Sequence, residues 1–204
     1  MSKYGDRTHN WFEAIVNKMG GEAAADSFLR GELELVRAKP KWTERDGVIY
    51  FTLVSNGLTG LEWIVHLEGK GYQLTKWAKD LLNSGDFMPT PKGTVHEMGA
   101  IRATQFKDDE GITWKIRAKA KKLKMFKAHP ETACLIRVLF TDKELEEMGL
   151  WYIMSMHEPI LDSDRDPGLL SSSRHDGGLY LDAYCGEPGY QWNDNGAFAF
   201  GLRK

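Results

Sequence analysis

The sequence predicts an α+β protein: helical hairpins packed on a mainly antiparallel sheet, with the C-terminal third mostly β. Three observations point there. Apolar residues recur at helical spacing in paired short segments, as in "NWFEAIVNKMGG" followed by "GEAAADSFLRGEL". Runs rich in β-branched and aromatic residues, such as "DGVIYFTLV", interrupt these pairs. The last third carries "GLYLDAY" and "GAFAFGLRK", whose side chains alternate with the period of a strand.

Taken in order, Trp11, Phe12, Ile15, Val16 and Met19 share one helix face, and Gly20-Gly21 supplies the left-handed residue that ends such a helix. Three alanines carry a second helix, with Phe28 and Leu29 as its packing edge. Asp46-Gly47 prefaces the first strand. Thr59 with Glu62 has capping-box spacing and opens a helix through "LEWIVHLEGKG", and "LTKWAKDLLNSG" completes a second hairpin that closes at Gly85.

"GDFMPTPKG" places two prolines and two glycines in nine residues, which predicts a lobe boundary at 85–93. The expected organisation is a helical lobe with one strand over 1–88 and an α+β domain over 89–204, with a single compact domain as the alternative. In the second part, "TVHEMGAIRATQF" reads as a strand and "ITWKIRAKAKKL" as a helix with Ile112, Ile116, Ala120 and Leu123 on one stripe. Pro130 sits where a first helical residue belongs, before "ETACLIRVLF", a buried helix or else a strand. Thr141 and Glu144 form a second capping-box pair for a short helix ending at Gly149, which delivers the chain into the strand "LWYIMSM". In the closing strand, Phe198, Phe200 and Leu202 fall on one face and Ala197, Ala199 and Gly201 on the other, and this strand is expected to pair centrally.

With 42% hydrophobic and 27% charged residues over 204 positions, the composition is that of a globular chain. A formal net charge of −2 gives no global attraction to nucleic acid or an anionic membrane. No run approaches the roughly 18–20 apolar residues of a membrane span, and "MSKYGDRTHN" lacks the apolar centre of a secretory signal. A cytoplasmic protein without membrane contact is expected. Cys134 and Cys185, far apart and without a CxxC pairing, fit neither structural zinc nor a disulfide framework.

"HEPILDSDRDPGLL" is the most distinctive string. Asp162, Asp164 and Asp166 stand at alternate positions, and hard cations need several converging carboxylate oxygens, so the loop would suit a divalent cation such as calcium. An EF-hand is excluded, since Pro167 and Ser173 stand where it needs glycine and glutamate. The competing reading is an exposed turn in which Asp and Ser side chains cap backbone amides before Pro-Gly. Further on, "KIRAKAKKLKMFK" carries Lys115, Arg117, Lys119, Lys121, Lys122, Lys124 and Lys127 without an acid, a stripe that would track phosphates, with Lys115, Lys119, Lys121 and Lys122 as contacts. The competing reading is a solvated helix face. His96, His157, Glu158 and Asp162 would form a metal-assisted hydrolytic site if their strands were neighbours, although a histidine at a strand end more often serves packing. "SSSRHD" places Ser, His and Asp side by side, but a triad is assembled from distant positions. The helical hairpin at 61–82 suggests helix-turn-helix only loosely, its Gly69–Gly71 turn being long.

Two resemblances follow from these strings. Trp192-Asn193-Asp194 followed by "FAF" resembles the calcium- and sugar-binding end of C-type lectin domains, which would imply a cation at Asn193 and Asp194. "GLTGLEWIVHLEGKGYQLTKWAKDLLNSGDF", "ACLIR", "MGLWYIMSMHEPILDSDRDPGLL" and the closing "FAF" are similar to a family of short uncharacterised proteins found mainly in uncultured candidate-phylum bacteria. That resemblance spans residues 57–202 and implies a bacterial, soluble, stand-alone protein without assigning an activity.

With no nucleophile, base or cofactor loop standing out, the expected function is a non-catalytic binding or regulatory module with a protein partner. Its contact surface would be an aromatic rim of Tyr184, Tyr190 and Trp192 beside the aspartate loop. The alternatives are a nucleic-acid-associated protein using the basic helix 115–127, and a metal-assisted hydrolase.

Overall fold

The computed structural model describes residues 9–34, 40–107, 110–175 and 178–203. Its helices are α1 (His9–Met19), α2 (Glu22–Leu29), α3 (Gly60–Glu68), α4 (Lys76–Asn83), α5 (Thr113–Lys122), α6 (Thr132–Leu139) and α7 (Asp142–Glu147). The strands are β1 (Trp42–Arg45), β2 (Val48–Val54), β3 (Gln73–Leu74), β4 (Val95–Arg102), β5 (Tyr152–Ser155), β6 (Ile160–Leu161), β7 (Pro167–His175), β8 (Gly178–Cys185) and β9 (Gly196–Gly201). The α+β class is as expected. Among the described residues, no helix is long and apolar enough to cross a membrane.

The chain divides into compact units at Met1–Pro40 and Lys41–Lys204. The division therefore falls at Pro40, whereas the proline-glycine segment 85–93 lies inside the larger unit. The reason is strand pairing across that segment: β2 runs antiparallel to β4, from Val48 opposite Ile101 to Val54 opposite Val95. In the smaller unit, α1 and α2 form the expected hairpin, turning through Gly20 and Gly21 at φ of 107° and 94°. Neither helix has a buried residue.

In the larger unit the strands form one sheet in the order β1-β2-β4-β9-β5-β7-β8-β3, with β6 paired to β7. Most neighbours are antiparallel; β9 runs parallel to β5, and β3 to β8. Both faces are covered. Ile49, Phe51, Met98, Ala197 and Ala199 join a core with Trp63 and Leu67 of α3, Leu81 and Leu82 of α4 and Ile136 of α6. Ile101, Met154, Phe198 and Phe200 join a second core with Ile116 and Ala120 of α5 and Trp192. The alternation read in "GAFAFG" thus divides alanines from phenylalanines between two buried layers, and β9 lies centrally between β4 and β5 as expected.

Three strands carried weaker signals. β1 pairs with β2 across Asp46 and Gly47, both at positive φ (54° and 72°), which is the demand of a tight hairpin turn that Asp-Gly meets. β3 is only two residues long. β7 hides behind polarity: Ser171, Ser172 and Ser173 are all buried, and Ser172 Oγ donates to the Ala133 carbonyl at 2.7 Å. The segment "ETACLIRVLF" is a helix, with Glu131 at its N-cap and Pro130 just outside it.

Candidate functional site

The aspartate loop is the turn between β6 and β7. Asp162 Oδ1 accepts the backbone N–H groups of Asp164 and Asp166, each at 2.9 Å, and the Asp162 amide donates to the Asp166 carbonyl at 3.0 Å. This fastens Arg165 at a φ of 69°. One carboxylate oxygen of the proposed calcium triplet is thus spent on the turn itself. Among the described residues, no group of three or more His, Cys, Asp or Glu side chains is arranged to hold a metal ion.

Asp162 and Asp166 instead form one wall of a cleft of about 500 Å3. Asp182 and Tyr184 of β8, and Glu187 just beyond it, form a second wall, and Trp77 and Leu81 of α4 form a third. Local chemistry holds these walls together. Thr75, the N-cap of α4, accepts from the Ala78 amide and donates its hydroxyl to Asp182 Oδ1 at 2.9 Å. Gly168 lets β7 approach α4, since a Cβ there would come within 2.7 Å of Leu81. Trp77 precedes the buried stripe Ala78, Leu81 and Leu82, so its ring stays 60% exposed. Burial, and then the neighbouring Asp182, push the Tyr184 hydroxyl up to about 12, which keeps it a neutral donor.

The expected aromatic rim is a packed cluster. Trp192 is 8% exposed, its Nε1 donates to Thr113 Oγ1 at 2.9 Å, and its ring lies 4.7 Å from Tyr190, 5.8 Å from Phe198 and 6.1 Å from Tyr184. An indole with its N–H satisfied is more stable inside than on a rim, and of the three rings Tyr184 alone lines the cleft. The lectin-like tripeptide serves the same packing: the Asn193 carbonyl accepts the Tyr152 hydroxyl at 3.2 Å.

The histidines are organised around a residue that the sequence did not single out. Glu131, fully buried, receives Nε2–H of His96 at 3.1 Å, the Thr90 hydroxyl and, at 3.1 Å, the Ser55 hydroxyl. Burial alone would raise its pKa, but these hydrogen bonds outweigh burial and hold the carboxyl below its usual range. The His96 ring stacks on His129 with centroids 6.1 Å apart, and both line a cavity of about 340 Å3. His157 belongs to the core, its Nε2 accepting the Leu170 amide at 3.0 Å, and Glu158 pairs with Lys127. Asp162 remains in its turn, so the expected cluster of His96, His157, Glu158 and Asp162 is not assembled.

The basic run is a helix with unequal lysines. Arg117 donates to the carbonyls of Met156 and His157 at 3.2 and 2.6 Å, and Lys119 donates to the Gln105 carbonyl at 2.8 Å while lying over the Phe106 ring. Lys115 lies over Trp114. Lys121 and Lys122 stay exposed in the last turn, where cations complement the carbonyl end of a helix.

Comparison with known protein families, curated proteins and solved structures returns no match. What fold and site define is an α+β protein with helices on both faces of one mixed sheet and an acidic, aromatic cleft at one side of it.

Proposed function

We propose that this chain is a non-catalytic binding module whose cleft takes an alkylammonium group, carried on a lysine-bearing segment of a protein partner. The supporting observation is the meeting of Asp162, Asp166, Asp182 and Glu187 with the rings of Trp77 and Tyr184 around one opening of about 500 Å3. Carboxylates attract a cation and an indole face adds a cation–π contact. An ordinary hydrophobic pocket would not concentrate four acids. The Asp182 carboxylate, fixed by Thr75, supplies a pre-oriented charge.

Titration of the protein with a lysine-rich peptide, followed by calorimetry, tests this reading. Binding should weaken with added salt, vanish when the lysines are acetylated, and lose about 0.5–2 kcal/mol in Trp77→Ala. Equal binding of the acetylated peptide, or unchanged binding by Trp77→Ala, would overturn it.

A further inference from the structure

A third opening lies at the C-terminal end of the basic run. A cavity of about 560 Å3 is lined by Lys121, Lys124 and Arg203 together with Leu123, Met125, Phe126 and Leu202. It has no acidic side chain in its wall. Among the described residues, none of the three cations makes an ion pair, in contrast to Lys127, which pairs with Glu158. The carbonyl end of α5 accounts for Lys121 in its last turn; Lys124 and Arg203 lie outside the helix, so it does not account for them.

Lys124 also holds an unusual backbone position. The Met125 amide donates to the Ala120 carbonyl at 2.9 Å and the Lys124 amide to that of Lys121 at 3.0 Å, which is the paired termination that normally ends on glycine. Lys124 occupies the glycine position at a φ of 60°. A side chain there is disfavoured by roughly 1–2 kcal/mol, and a lysine offers no local hydrogen bond in return. A strained seat given to an unpaired cation is a reason to look for an anion.

Beside it stands a fixed aromatic ring. Phe126 and Gly201 exchange backbone hydrogen bonds of 3.0 and 2.9 Å, and a Cβ on Gly201 would come within 2.4 Å of the Phe126 ring. The ring is thereby seated on the end of β9, yet 48% exposed. The cavity containing His96 and His129 shares Phe126 and Leu202 with this one, so the groove continues past the ring.

We infer that this groove binds a small aromatic phosphomonoester, of the class of a nucleoside monophosphate, with the phosphate on Lys121, Lys124 and Arg203 and the base on Phe126. A phosphate needs several charged donors from different directions, and here they come from the helix, its terminating turn and the strand end. A base needs an immobile ring with a free face. The site is separate from the acidic cleft and does not depend on it.

The experiment is calorimetric titration of the full chain with adenosine 5′-monophosphate, alongside adenosine and an adenylate dodecamer. The monophosphate should bind, and adenosine should bind at least about tenfold more weakly, as should the monophosphate to Lys124→Gly or to the double variant Lys121→Gln, Arg203→Gln. Lys124→Gly should melt at the same or a higher temperature, because glycine relieves the left-handed backbone, so lost binding cannot be lost folding. The inference fails if no monophosphate binding is detected, if adenosine binds equally, or if Lys124→Gly leaves the affinity unchanged. Tighter binding of the dodecamer would also overturn it, in favour of a surface for single-stranded nucleic acid.

Discussion

His157 has both ring nitrogens committed to the backbone: Nδ1–H donates to the Glu158 carbonyl at 2.5 Å and Nε2 accepts the Leu170 amide. The ring is therefore held neutral, and burial lowers its pKa to about 4. In the unfolded chain the ordinary value is about 6.5, so between the two values the unfolded state binds the extra proton. Stability from this group is present above about pH 6.5 and lost as pH falls toward 4, on the order of 3 kcal/mol in all. Glu131, held below the usual carboxylate range, adds a loss of the same sign at lower pH. Thermal melts at pH values from 7 to 4 should show a steep decline that flattens in His157→Gln; parallel curves for the two proteins would count against this account. At this scale the sequence is legible only where partners are local. Asp162 in its turn is readable from Asp-rich spacing, but Glu131 stands in "HPETACLIR" as an unremarkable acid before a helix. Its donors Ser55, Thr90 and His96 come from 76, 41 and 35 positions away.

The elements show the same division between local and distant causes. Both capping boxes are formed as their spacing predicts: the Thr59 amide donates to Glu62 Oε2 at 2.8 Å, and the Thr141 amide to Glu144 Oε2 at 2.8 Å. Four residues suffice to specify such a feature. The close approach of α3 to α4 is invisible to that reasoning. A Cβ on Gly60 would stand 1.7 Å from the Leu82 carbonyl oxygen, a backbone atom with little freedom to move. Gly60→Ala, which on helix propensity alone should stabilise α3, is expected to destabilise the protein by more than about 3 kcal/mol, read as a lowered chemical-denaturation midpoint. A midpoint at or above that of the parent would show that the two helices can separate without cost. β7 is hidden in the sequence for a related reason: its buried serines look like loop residues until the carbonyls that receive them, Ile153 and Ala133, are in place.

For the whole molecule, the two core clusters draw on residues from Trp42 to Leu202, while α1 and α2 bury nothing. A chain beginning at Lys41 is therefore expected to unfold cooperatively with a Tm within a few degrees of the full chain, as scanning calorimetry would show. Loss of the transition would mean that residues before Lys41 contribute to the core. The sequence conveys the fold class because periodicity reports burial on each face. It does not convey the order of strands, which is why the boundary expected at 85–93 gave way to a sheet that spans it. That order bears on biogenesis. Among the described residues, β1-β2-β4 on one side and β5-β7-β8-β3 on the other are joined into one sheet by the pairing of β9 with β4 and β5. In chain order every strand of both half-sheets precedes the one that unites them, and until β9 is in place the edges of β4 and β5 are open to any passing strand. A chain cut off ahead of Gly196 would lack the strand that joins the half-sheets, and with both edges exposed it is the form of this protein with most need of chaperone shelter.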